Sequence, residues 1–185
     1  MKRSMMQKRK IILIAILAVV LFLTIVFPYS ILSVYPAVQV KIDTAEQQKY
    51  NEDFAVLRSL FEGRMGQPDH VVTYSVAVLL LYQMEWLTEA NHHMWRSDWE
   101  PLLTNVQSVK KELIRLSLQE DNFSDEAKVY LQQMIEAIME IEGTVLQHTN
   151  GHTRKHIETS LRNLHSDIAT SLNLYVQFWQ TYYAK

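Results

Sequence analysis

The sequence predicts an all-α protein: a single N-terminal transmembrane helix, then an up-down antiparallel helical bundle of four long helices plus one shorter helix. Three observations lead there. Ile11 to Phe27 is apolar except for Thr24, and it follows five cations, Lys2, Arg3, Lys8, Arg9 and Lys10. From residue 44 onward, apolar residues recur at steps of three and four behind capping residues, the period of one face of a helix. No alternating strand pattern competes after residue 43, and turns of about four to six residues between long helices force neighbours to run antiparallel.

Residues 1–10 form a basic tail and residues 11–35 the anchor. The 17 residues from Ile11 to Phe27 rise only about 25 Å as a helix, against a hydrocarbon core of roughly 30 Å. The span is therefore expected to continue past Pro28 to Pro36, with Tyr29 and Tyr35 at the far interface. A cleavable signal peptide has the same basic and apolar parts. No small-x-small pair follows the apolar run, and Pro28 and Pro36 crowd the places where a peptidase would cut, which favours a retained signal-anchor. Under both readings the remainder is exported. The five N-terminal cations outnumber Lys41 and Lys49 on the other flank, and positive charge stays inside. The expected location is the cell membrane, N-terminus cytoplasmic and C-terminal domain extracytoplasmic.

Five of the 18 basic residues precede the apolar run, leaving 13 against 20 acidic ones and a net charge of −7 beyond it. That balance argues against a nucleic-acid partner and against a surface lying on anionic lipid, and it leaves a cationic partner, or none in particular, as the expectation. With no cysteine, disulfides, thiolate nucleophiles and cysteine zinc sites are excluded. An exported domain held by its core alone fits a bacterial envelope of the Gram-positive kind.

Residues 36–43 read as an extended stalk, with Val38, Val40 and Ile42 alternating, and residues 44–185 as the bundle domain. Thr44 with Gln47 suggests a capping box for a first helix carrying Tyr50, Phe54, Leu57 and Phe61, stopped at Gly63 and Gly66. A second helix is expected from Asp69 to about Met94, with Val72, Val76, Leu79, Gln83, Trp86 and Ala90 in line. Its middle is apolar all round, which suits a central core helix. Ser97 and Glu100 begin a third, with the stripe Leu102, Val106, Val109, Leu113 and Leu116. Ser124 caps a fourth, striped by Ala127, Leu131, Met134, Ile138, Ile141 and Val145. Thr153 starts the longest, with Ile157, Leu161, Leu164, Ile168, Leu172, Tyr175, Trp179 and Tyr182 on one side.

Two constellations stand out. In an up-down bundle the 91–97 and 148–153 turns fall at the membrane-proximal end, gathering His92, His93, His148 and His152 beside Glu89. Imidazoles and carboxylates so grouped are ligands for a divalent metal and titrate near neutral pH. Glu89 and His92 also form one Glu-x-x-His unit, but a di-iron bundle needs two. At the other constellation, Tyr175, Trp179 and Tyr182 fit the core stripe and Phe178 and Tyr183 lie off it. Core packing is the favoured reading, and the alternative is a last helix that overhangs the bundle and exposes Phe178, Trp179 and Tyr183 as an aromatic patch for a partner.

Phosphate-loop, serine-hydrolase, zinc-protease and calcium-loop motifs are all missing. The leading expectation is thus a non-enzymatic protein without a cofactor, held in the lipid bilayer through residues 11–35, whose bundle binds another envelope or membrane protein. The alternative is a sensory or ligand-binding bundle that responds to metal or pH through the clustered histidines.

Overall fold

A computed structural model describes residues 2–30, 33, 36–119, 123–147 and 153–184, with side chains from residue 9 onward. The chain is mostly helical, with seven α-helices and one two-stranded sheet among the described residues. Helix α1, Lys2–Val26, contains the window Arg9–Val26, 18 residues of mean hydropathy 2.6 with none buried. Roughly 27 Å of rise makes it long and apolar enough to cross a bilayer.

The helix stops at Val26 rather than running on to residue 35. Pro28 has no N–H to give the ladder and disfavours helical backbone at Phe27, and a turn follows, closed by Ser30 N–H bonding to Phe27 O. Tyr29 packs into the domain instead of standing at its surface. It is 3% exposed, its hydroxyl donates to Met94 O at 2.9 Å, and Trp99 meets its ring edge-on. Tyr35 lies outside the described residues.

Strand β1, Ala37–Lys41, is extended as the alternation suggests, but it is no free stalk. It pairs antiparallel with β2, Asn91–Trp95, in the register Val38 to Met94 and Val40 to His92. Val38, Val40 and Met94 enter the core. The expected helix from Asp69 to Met94 is therefore three elements: α3 (His70–Tyr82), the single turn α4 (Glu85–Thr88), then β2. Asn, His and Trp are weak helix formers, and pairing with a strand fifty residues upstream overrides the helical spacing. The all-round apolar α3 is also not buried all round, because Val76 and Leu80 remain half exposed while Val72, Ser75, Val78 and Tyr82 face inward.

Elsewhere the apolar period and the burial agree. Helix α2, Thr44–Glu62, buries Tyr50, Leu57 and Phe61, although Asp43 rather than Thr44 caps it, accepting from Ala45 N–H. Gly66, at φ 87°, turns the chain toward α3, a conformation costly for any residue with a Cβ. Asp69 caps α3 by accepting from Val71 N–H. Helix α5, Trp99–Ser117, starts one residue later than the Ser97 box implies, after a 3-10 turn over Arg96–Asp98 whose Asp98 carboxylate accepts from Trp95 N–H. All five stripe residues of α5 and all six of α6, Asp125–Gln147, are buried. Helix α7, Arg154–Tyr183, buries Ile157 through Trp179 along one side, with Thr153 as its cap.

The neighbours α2, α3, α5, α6 and α7 contact one another in a closed cycle, and β1 lies on α7. Lys110 on α5 bonds Glu142 on α6, which holds that carboxyl below its ordinary range. Buried hydroxyls link other helices: Tyr50 donates to Tyr82 O, Tyr82 meets Ser171, and Ser75 meets Tyr175. Each satisfies a group whose unpaired burial would cost about 1–3 kcal/mol.

Arg154, first residue of α7, ties α1 to this body. Its guanidinium donates to Ile25 O at 3.0 Å, Thr24 O at 3.4 Å and Ala37 O at 3.0 Å. The last carbonyls of α1 lack helical partners, so one cation satisfies the end of the apolar helix and the first strand together.

Candidate functional site

The turn at α4 and strand β2 wall a groove of about 620 Å³. Its lining combines Glu85, Glu89 and Asp98 with Trp86, Trp95, His92 and His93, floored by Met84, Met94 and Pro101. No Lys or Arg is among these residues. The groove opens beside the chain's exit from α1, because Tyr29 bonds Met94 O from below and Arg96 donates to Tyr29 O at 3.3 Å.

The backbone of α4 is fixed from the core side. Leu87 O accepts from Gln47 Nε2 at 2.5 Å and from His165 Nε2 at 3.4 Å. His165 on α7 is 1% exposed, with Tyr50 and Trp86 rings at 5.3 and 6.3 Å. Its Nδ1 has no hydrogen-bond partner among the described residues. Burial pushes the imidazole's pKa down, against the smaller upward pulls of the Leu87 carbonyl and Glu46. The ring is therefore neutral at pH 7, with its Nε2 proton aimed at Leu87 O.

Of the residues expected to gather as a metal site, Glu89 and His92 meet, His92 Nδ1 lying 3.5 Å from Glu89 Oε2. Their Glu-x-x-His spacing is realised by a turn into a strand, not by a helix face. His93, the next residue on β2, is paired with Gln39 and lines the same groove. His148 and His152 lie outside the described residues. Among the described residues no group of three or more metal-ligating side chains converges.

The aromatic patch is corrected by burial. Phe178 and Trp179 are both 0% exposed. Phe178 stacks between Tyr175 and Tyr182 and meets Phe123 edge-on, so the segment before α6 covers what an overhanging helix would have bared. Tyr183 is half-buried, donates to Asp69 Oδ2 at 2.7 Å and carries Arg64 over its ring at 4.1 Å. These contacts pin the last turn of α7 to the cap of α3. Burial, and after it the Asp69 carboxylate, push the Tyr183 hydroxyl's pKa up.

The spacing argument missed His165 and the groove's Trp86, Met84 and Asp98. His165 follows Leu161 by four and precedes Ile168 by three, so its place on the buried stripe was readable. The groove was not, because β2 exists only through pairing with β1.

No protein-family model, curated protein or solved structure matches the chain.

Proposed function

We propose that this is a single-pass membrane protein with a cytoplasmic N-terminus. Its residues 44–185 form an extracytoplasmic antiparallel helical bundle that binds a cationic segment of another envelope or membrane protein, acting by binding rather than by catalysis. The observation that carries this reading is the lining of the groove. Three carboxylates and the exposed indole of Trp95, with no Lys or Arg in the lining, complement Lys or Arg side chains, which pair with carboxylates and lie over indole faces. The hydrogen bonds from Tyr29 and Arg96 keep the groove close to the end of α1, which favours a partner segment that is itself near the bilayer. The apolar window of α1 supports anchoring, and the closed cycle of helix contacts supports the bundle.

A photocrosslinking side chain in place of Trp95, in full-length protein in its native membrane, tests the groove. One adduct of defined mass is expected, absent when the probe replaces Gln133 on the exposed face of α6. Charge reversal by Glu85→Lys with Glu89→Lys should abolish it. Persistence of the adduct after reversal would remove the cationic partner.

A further inference from the structure

We infer that a second groove, at the junction of α1 and α7, is a binding site for the headgroup of an anionic phospholipid. This groove, about 490 Å³, has two unlike walls. Ile25 and Val26, the last residues of the apolar window, form one; Arg154, Lys155 and Arg162 from the first turns of α7 line the other, with Glu158 between them. Three cations against one carboxylate give a local charge of +2, opposite in sign to the net −7 of the chain beyond the apolar run.

Arg154 is engaged with the carbonyls of Thr24, Ile25 and Ala37, which uses three of a guanidinium's five N–H donors and fixes the basic wall against the end of α1. Lys155 and Arg162 are exposed and form no ion pair among the described residues. A basic wall meeting an apolar helix end is the arrangement an amphiphile requires: acyl chains beside α1, phosphate beside Lys and Arg. With α1 in a bilayer, Ile25 and Val26 reach the level where headgroups begin, and basic side chains there attract anionic lipid. Guanidinium groups bind phosphate oxygens in pairs. The occupant is thus a lipid phosphate rather than a soluble one, because the apolar wall is half of the site.

This rests on α1 lying in the membrane but not on the carboxylate groove, so a failed crosslink at Trp95 leaves it standing. The test is native mass spectrometry of the full-length protein in detergent, offered phosphatidylglycerol and phosphatidylcholine in equal amounts. The unmodified chain should retain phosphatidylglycerol with a preference of roughly tenfold. Lys155→Ala with Arg162→Ala should bring that ratio close to one while leaving the circular dichroism unchanged. Lys49→Ala with Lys111→Ala, an equal loss of charge on α2 and α5, should keep the preference. A ratio near one for the unmodified chain, an unchanged ratio in the Lys155 and Arg162 variant, or full displacement of the lipid by equimolar inorganic phosphate would overturn the site.

Discussion

Replacing Trp179 by alanine is expected to remove about 3–5 kcal/mol of folding stability and to lower the melting temperature by roughly 6–20 °C, at about 2–4 °C per kcal/mol for a domain of this size. Trp179 is 0% exposed, meets Phe61 edge-on at 6.3 Å and packs against Tyr183 at 5.0 Å. Truncation leaves a cavity that the ring contacts from α2 and α7 cannot close without shifting. A surface aromatic kept for a partner would behave otherwise, changing stability by no more than about 0.5 kcal/mol. Thermal denaturation followed by circular dichroism separates the two, and a change below that limit would return Trp179, and with it Phe178, to the surface.

The second large effect concerns acid. The His165 imidazole has a folded pKa lowered by burial from the ordinary value of 6.5, so the unfolded chain takes up its proton first. Between those two values the unfolded state binds more protons, and stability rises with pH. The contribution of neutral His165 is complete above about pH 6.5 and is lost progressively as pH falls below it. The groups facing the ring offer little relief: Glu46 on α2 attracts the protonated form, while Tyr50, Gln47 and the Trp86 ring are uncharged. Unfolding curves at pH 7.5 and pH 5.5 should show the loss in the native chain and a smaller one in His165→Gln, which keeps a donor toward Leu87 O. At pH 7.5 that variant should lose about 1–3 kcal/mol through imperfect pairing of buried polar groups. Equal acid sensitivity in both proteins would assign the effect to other groups.

The sequence was most readable where one face of a helix is apolar and the other is wet. The stripes of α5 and α6 were named residue by residue and are buried residue by residue, because a 3.6-residue period leaves one orientation that removes apolar area from water. It was least readable in the 69–95 stretch. An apolar run such as Val76 to Tyr82 shows no preferred face, so nothing local tells that Val76 and Leu80 remain exposed while Val78 and Leu81 do not. Strand β2 carries no strand signal of its own, since Asn91-His92-His93-Met94-Trp95 becomes extended by bonding to Ala37–Lys41. The candidate site inherits that opacity. Glu89 and His92 could be paired from their spacing, whereas the groove around them depends on a break at Gln83 and Met84 and on the remote clamp of Gln47 and His165 on Leu87 O. Phe178 failed as a surface residue for the same reason, being covered by Phe123 from outside the helices.

Absence of native cysteine makes topology directly measurable, and topology is the premise beneath both grooves. Single cysteines introduced at Ser4 in the basic tail and at Gln133 on the exposed face of α6 can be challenged in intact cells with a membrane-impermeant maleimide. Labelling at Gln133→Cys without permeabilisation, at Ser4→Cys only after it, and on a product of full length held in the membrane fraction is the expected pattern. Labelling of the tail alone, or recovery of a shortened, labelled domain from the medium, would contradict a retained anchor with the domain outside.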